Sequence, residues 1–351
     1  MSTACRSSSF LIGIDLDNRN ELTLYASSPL FGSSHVERSS QEIELHADTI
    51  RQSRGKLEAR TFGYLSYRKV QIILIGKRIL EHKDWYSMLD VIMRDTKNPL
   101  TQRMVMYDGS LSEIVNMNLK EKPMLPLLLR GMIESNSLRS ETVKTTLQEL
   151  DRLMYEKGIT PYMSEVALDK GKDVYIKGTT LLDKEGKYAV SLTVPETLLL
   201  HVLQNEVKSS ISFTVRIPGY SRTGPFDTDR VSFNAEDVKT KVSASYGDGR
   251  FKFKLDIRMT LNLTERLIPI DLQKEGKRLE QLIDEQMKGR FEKLIQTIQT
   301  HRIDPIGLGL YARAYEYRRY KEVQDHWGEA LSDADIQLSV KTSIRSMGPV
   351  K

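Results

Sequence analysis

The chain has 351 residues, of which 39% are hydrophobic and 28% charged, so it is too apolar to be disordered throughout and long enough for two or three domains. Its 52 Lys and Arg residues against 47 Asp and Glu residues give a net charge of +5, which is too small a bias for a dedicated nucleic-acid-binding protein. The single cysteine, Cys5, excludes an intramolecular disulfide framework and a cysteine-rich metal centre.

The first third of the sequence alternates between predicted strands and helices. Short apolar or β-branched runs bounded by turn residues predict strands at 10–14, 22–25, 42–46, 70–75 and 101–107. Helices are predicted after three capping residues, Asp48, Asp84 and Ser110, the last of which begins a capping box. The pattern predicts an N-terminal α/β domain over residues 1–119.

The middle of the chain is less regular. Pro123 and Pro126 interrupt it, and a helix is predicted after Ser140, with apolar residues at helical spacing up to Met154. We expect a small middle domain or connector over residues 120–170.

The last half has the clearest periodicity. A turn at 246–249 precedes strict period-two alternation from Phe251 to Leu263, which predicts a long antiparallel hairpin with one buried face. A stripe of apolar residues then predicts a helix of about 30 residues, followed by a second helix at 309–323 and a final strand at 336–344. The predicted fold is a three-domain α+β protein whose C-terminal domain, 171–351, packs an antiparallel sheet against the long helix.

The motifs of common enzymes and cofactor sites are missing from the sequence. The six histidines are scattered without metal-ligand spacing, and neither a P-loop nor a Gly-x-Ser-x-Gly elbow occurs. Gly307 and Gly309 fit a loose dinucleotide motif, but they follow a helix instead of a strand, so a glycine-bearing turn between two helices is the better interpretation. We therefore predict no catalytic residues, no cofactor and no metal.

The segment 311–321 interleaves tyrosines with basic residues and allows two interpretations. Such a composition can stack bases and bind phosphates, but it also suits an amphipathic packing helix with a solvated basic face. The second interpretation is favoured, with Tyr311 and Tyr315 on one side and Arg318 and Lys321 in solvent. We predict no nucleic-acid partner.

Several short signatures, taken together and in order, resemble the Ger(x)C family, the C subunits of bacterial spore germinant receptors. Near the C-terminus these are Asp304-Pro-Ile-Gly-Leu-Gly309, a segment around Trp327, an alternating strand at 336–341 and Gly348. The stretches 67–76 and 176–200 resemble the family's buried strand before a glycine and the entry into its C-terminal domain.

The resemblance implies a non-enzymatic α+β lipoprotein on the outer face of the spore's inner membrane. It would act with integral-membrane A and B subunits in sensing nutrients and triggering germination, and a lipid on its N-terminus would hold it to the membrane.

The N-terminus departs from the family pattern. Cys5 is the candidate lipidated residue, but Ser2 and Thr3 stand where a lipidation signal prefers apolar residues, and Arg6 follows the cysteine. We expect either a cytosolic protein or, as the resemblance favours, a sequence that begins after part of its natural start. The alternative function is a free-standing soluble protein that binds a small ligand.

Overall fold

The computed structural model describes residues 10–29, 40–60, 69–96, 98–117, 123–170, 173–220, 225, 228–268 and 270–346. The chain forms two compact units, each drawn from three stretches of sequence. Unit 1 contains Met1–Ser137, Thr142–Tyr155 and Pro161–Val194, and unit 2 contains Leu138–Glu141, Glu156–Thr160 and Pro195–Lys351.

Unit 1 is built on an eight-stranded mixed sheet. Its strands are β1 (Phe10–Leu16), β2 (Leu22–Pro29), β3 (Ser40–His46), β4 (Val70–Gly76), β5 (Arg103–Tyr107), β6 (Tyr162–Asp169), β7 (Asp173–Leu182) and β8 (Tyr188–Thr193). They lie in the order β3-β2-β1-β4-β5-β6-β7-β8, and the central four strands, β1, β4, β5 and β6, are parallel.

Helices cover both faces of this sheet, which explains why β4 is apolar along nearly its whole length. One face carries α1 (Ile50–Glu58), 3₁₀ turns at Lys77–Glu81 and Lys83–Leu89, α2 (Asp90–Met93) and α5 (Leu147–Tyr155). The other face carries α3 (Leu111–Val115) and α4 (Leu125–Leu138).

Four of the predicted helix caps differ in the structure. Thr49, not Asp48, caps α1, since its hydroxyl accepts a hydrogen bond from the Gln52 N–H at 3.1 Å. Asp84 lies inside a 3₁₀ turn, and Ser110 precedes α3 without a side-chain capping bond. Ser140 has a positive φ of 60°, and the following helix begins only at Leu147, so residues 140–146 are not helical.

The compact units divide the chain differently from the three predicted domains. The stretch 120–170 supplies α4, α5 and β6, and β6 pairs with β7 beyond residue 170 within one continuous sheet. The first unit therefore extends to Val194.

Unit 2 is built on a four-stranded sheet in the order β12-β11-β10-β9. The strands are β9 (Ile211–Arg216), β10 (Arg230–Gly247), β11 (Arg250–Arg266) and β12 (Asp335–Ser346). The long β10–β11 hairpin is present as predicted, with the alternate residues of β11 from Phe251 to Leu261 fully buried. The sheet is not wholly antiparallel, because β12 pairs with β11 in parallel.

The helices of unit 2 are α6 (Val194–Leu203), α7 (Leu272–Thr300), α8 (Leu308–Tyr315), α9 (Tyr317–Val323) and α10 (Trp327–Ser332). The predicted apolar stripe of α7 is buried throughout, at Leu279, Ile283, Met287, Phe291, Leu294 and Ile298. The α+β class and the packing of the C-terminal sheet against a helix are thereby confirmed.

Helix α7 also satisfies backbone groups at both edges of its sheet. The Thr342 N–H donates to Asp284 at 2.8 Å and the Ile344 N–H donates to Glu280 at 2.7 Å, both on the edge strand β12. At the other edge, Arg290 donates to the carbonyl of Thr214 on β9 at 2.8 Å. Paired edge groups cannot template the addition of a foreign strand.

Candidate functional site

Asp304 lies at the centre of a densely bonded polar site in unit 2. Its carboxylate is fully buried, and one oxygen accepts from the N–H groups of Gly307 and Leu308 at 2.8 and 3.0 Å. The other oxygen accepts from the Gly309 N–H and from Trp327 Nε1, both at 2.8 Å. Four donors thus converge on one side chain.

The local sequence explains this arrangement. The first N–H groups of a helix have no partner within the helix, and here those at the start of α8 point at Asp304. Gly307 has φ 84°, which suits glycine and turns the chain back toward the carboxylate. Thr160 completes the turn, since its hydroxyl accepts from the Asp304 N–H at 3.0 Å and its own N–H donates to the Asp304 carbonyl at 2.9 Å.

Gly309 is required by a close approach of two backbone segments. A Cβ at this position would lie 2.7 Å from the Gly158 Cα and 2.8 Å from Trp327 Nε1. The Asp-Pro-x-Gly-x-Gly signature therefore encodes a buried anion, a left-handed turn and a tight backbone contact. The structure thus contains the predicted glycine-bearing turn between two helices.

The Asp304 carboxylate has a structural role, because neither of its oxygens is free to bind a substrate. Burial raises the pKa of the Asp304 carboxyl, and the four donors oppose that rise. Both oxygens are occupied by groups of the protein itself, so a substrate has no open acceptor to approach.

A second polar cluster lies in unit 1, where β4 and β5 end. Lys177 forms ion pairs with Asp108 and, at 2.9 Å, with the wholly buried Glu165. Lys77 contacts the other oxygen of Asp108 at 3.2 Å, and the Thr180 hydroxyl donates to Glu165 at 2.8 Å. We call these five residues the ion network.

The charges of the ion network stabilise one another. The hydrogen bond from Lys177 lowers the pKa of Asp108, which burial alone would raise. Burial acts to lower the pKa of Lys177, but hydrogen bonds to Asp108 and Glu165 outweigh it and raise that pKa. Lys177 is therefore a cation at physiological pH and is not poised as a base or a nucleophile.

Asp15, at the end of β1, joins three elements of unit 1. It accepts from the Leu111 N–H at 3.3 Å, at the first residue of α3, and contacts Arg78 at 3.4 Å. Burial raises its pKa, against the effect of these donors. A Cβ at Gly76 would lie 2.2 Å from the Asp15 carboxyl carbon, which explains the glycine after the buried strand.

Three side chains that could hold a metal ion meet at one end of β1–β3. Ligand atoms of Asp17, Glu21 and His46 lie within 4.8 Å of one another. Spacing along the sequence does not reveal this group, because His46 comes from β3, which the strand register brings beside the turn that holds the two carboxylates. Asp17 is half-buried and the other two side chains are exposed.

The tyrosine-rich segment is only partly as predicted. Its helix is broken at Glu316 into α8 and α9, and Tyr320 is buried while Arg318 is exposed. Tyr315 and Tyr317 are 64% and 57% exposed. The packing-helix interpretation placed Tyr315 on the packed side, whereas the structure places it in solvent.

The candidate lipidation residue, Cys5, lies outside the described residues. Within the parts of the chain that are described, every helix is too short or too polar to span a bilayer.

Two family models match the chain in succession. The model described as the spore germination protein N-terminal domain matches residues 6–168, and the model described as spore germination B3/GerAC like, C-terminal, matches residues 177–348. The crystal structure of the GerBC protein is similar over 98% of this chain and 99% of its own, with a TM-score of 0.63 and 16% sequence identity. Comparison with curated proteins gave no match.

These matches define the class of protein as a spore germination protein with both the N-terminal and the C-terminal domain of its type. The chain belongs to the GerAC-like family, the Ger(x)C proteins, as its sequence signatures predicted. The fold is that of GerBC.

Proposed function

We propose that this protein is the non-enzymatic C subunit of a spore germinant receptor. The observation that carries the proposal is the succession of two spore germination family models, over residues 6–168 and 177–348. In this role the subunit acts beside integral-membrane A and B subunits and contributes to nutrient-triggered germination.

The state of the buried polar groups supports a role without catalysis. The carboxylate of Asp304 already accepts four hydrogen bonds, and Lys177 is held as a cation between Asp108 and Glu165. Groups that are satisfied by the protein stabilise its fold and are not arranged to transfer a proton to a substrate.

The proposed location is the outer face of the spore's inner membrane, with a lipid on an N-terminal cysteine as the anchor. A single acyl chain binds a bilayer only marginally, whereas a diacylglyceryl cysteine carries two chains and is a stable anchor. Cys5 is the candidate if this start is natural. Metabolic labelling with a palmitate analogue, in cells that express the gene from its own locus, tests the anchor, and Cys5→Ser tests the position.

Deletion of the gene tests the function directly. We expect spores that lack it to lose the response to at least one nutrient, and a plasmid copy to restore that response. Deletion spores that respond fully to every nutrient of the parent strain would overturn the proposal.

Partner association needs a separate measurement. A tagged chain, expressed at its natural level, should be recovered from detergent-solubilised spore membranes together with two multi-span proteins. Calorimetry of the purified chain with nutrient amino acids and sugars separates this proposal from the free-standing binding protein. A micromolar ligand for the isolated chain, with no membrane partner recovered, would favour the latter.

A further inference from the structure

One face of the unit 2 sheet is lined by polar side chains that alternate with the buried residues of β10 and β11. We call it the open face; its members on β11 are Lys252, Lys254, Asp256, Arg258, Thr260 and Asn262. The opposite, apolar face packs against the helices of unit 2.

Three cations lie side by side across the open face. Lys239 on β10 is directly opposite Arg258 on β11, which is directly opposite Lys341 on β12. All three are exposed. We call them the cationic row.

The cationic row is unfavourable for the fold by itself. Like charges directly opposite one another on neighbouring strands destabilise a sheet. None of the three side chains forms an ion pair with a residue that the structure describes. Burial raises the pKa of Asp284 on α7, and the charge of Lys341 opposes that rise. Repulsion that no contact within the fold offsets is expected at a surface that binds a partner.

The rows between the cationic row and the hairpin turn also carry a net positive charge. The next three rows toward the hairpin turn add three lysines and two carboxylates, namely Lys241, Lys252, Lys254, Asp256 and Asp335. With the cationic row this gives six cations and two carboxylates, a local net charge of +4 against +5 for the whole chain. On the other side of the row, Glu236 and the adjacent Asp237 both pair with Arg345, so the excess positive charge is confined to the cationic row and the rows toward the turn.

We propose that the open face binds the surface of a bilayer that contains anionic phospholipid headgroups. The chemistry favours a lipid surface over two other anionic partners. Within β10–β12 the open face has no aromatic side chain on which a nucleic-acid base could stack. Lysine, which supplies five of the six cations, is depleted from protein–protein interfaces but is attracted to anionic headgroups.

The inference deepens the proposed membrane location and is independent of the lipid anchor. A bilayer needs no fitted groove, since it presents many headgroups to an extended array of cations. Each cation near such a surface contributes roughly a fivefold increase in partitioning at low salt.

The test uses the full 351-residue chain without lipid modification and vesicles of two compositions. One is pure phosphatidylcholine, and the other contains 30% phosphatidylglycerol. We expect co-sedimentation with the anionic vesicles in 50 mM salt, release in 500 mM salt, and no binding to the neutral vesicles. The triple variant Lys239→Gln, Arg258→Gln, Lys341→Gln should partition about 100-fold more weakly while remaining at least as stable to heat as the parent.

A matched control removes three exposed cations from α7 by Lys277→Gln, Lys288→Gln and Lys293→Gln. This variant has the same net charge as the first, and it should retain most of the binding. Equal loss in both variants, no binding of the parent chain to anionic vesicles, or preference for polyglutamate or RNA over vesicles would each overturn the inference. A germination defect in deletion spores would stand regardless, so the two proposals fail separately.

Discussion

Asp304 connects a turn, a helix and a tryptophan that are brought together from different parts of unit 2. A carboxylate can accept at both oxygens, and here each oxygen accepts two hydrogen bonds. An amide offers only one oxygen, and its NH₂ group would face two of the four donors. The position therefore requires an aspartate and not merely a polar residue of its size.

We expect Asp304→Asn to lower the free energy of unfolding by about 3 kcal/mol, because at least two buried donors lose their acceptor. Urea denaturation followed by circular dichroism measures the effect. Asp325→Asn is the control, since Asp325 is an exposed carboxylate of the same unit, paired with Lys157. Similar losses in the two variants would contradict a special role for Asp304.

Alanine substitutions at two helical glycines, Gly309 and Gly289, should change the stability of the protein in opposite directions. Gly309→Ala should destabilise the protein by about 2 kcal/mol, because the added methyl group would overlap the backbone of Gly158. Gly289→Ala on α7 meets nothing within 4 Å and should stabilise by about 0.5–1 kcal/mol through helix propensity. Thermal melts of the two variants, measured side by side, check the signs.

At the scale of elements, α7 both fills the core and pairs three backbone groups at the sheet edges. Glu280 and Asp284 accept from β12, and Arg290 donates to β9. The apolar stripe of α7 could be predicted from its spacing, but the edge bonds could not. Their partners lie about 60 residues away from the carboxylates and become neighbours only when β12 is added to the sheet.

We expect Glu280→Ala combined with Asp284→Ala to leave two N–H groups of β12 unpaired. The variant should lose about 2 kcal/mol of stability and self-associate in a concentration-dependent way. Sedimentation velocity at two or more concentrations measures the association. The control is Glu285→Ala with Glu292→Ala, which removes the same charge from exposed positions of α7 and should stay monodisperse.

The ion network joins the ends of β4 and β5 to β6 and β7, and it makes unit 1 sensitive to acid. Because the pKa of Asp108 is lowered in the folded state, its charge adds stability above about pH 3.8. That contribution is lost as the pH falls further, through the depressed pKa. Asp108→Asn should therefore be less stable than the parent at pH 7, and the difference should shrink below pH 3.8. A difference that is constant from pH 7 to pH 3 in urea titrations would exclude this account.

At the scale of the whole molecule, the two units differ in how readily the sequence predicts them. The hairpin and α7 follow from periods of 2 and 3.6 and could be predicted, whereas the parallel pairing of β12 and the helix break at Glu316 could not. The helix starts were misplaced at Asp48 and Ser140 because several residues that can cap a helix lie close together. Neither the ion network nor the Asp17, Glu21 and His46 group could be foreseen, since each assembles side chains from strands and turns that are distant in the sequence.

The predicted division into domains can be tested with fragments of the chain. The family models meet between residues 168 and 177, near the predicted boundary at 170, but the sheet continues through β7 and β8 to Thr193. A fragment of residues 1–170 would lack Lys177, the cation beside Glu165, and would expose the edge of β6. We expect it to aggregate, whereas residues 1–194 should be soluble and show cooperative unfolding. Cooperative folding of the shorter fragment would instead support the predicted three-domain division.

The placement of the two tryptophans gives each unit its own optical signal. Trp85 is in unit 1 and donates to the Gly186 carbonyl at 2.8 Å, and Trp327 is in unit 2 beside Asp304. Both indoles are less than 5% exposed, so the emission of each should shift to longer wavelength when water reaches it. With Trp85→Phe the remaining fluorescence follows unit 2 alone, and with Trp327→Phe it follows unit 1. The melting of the two halves can thus be recorded separately, without an added dye.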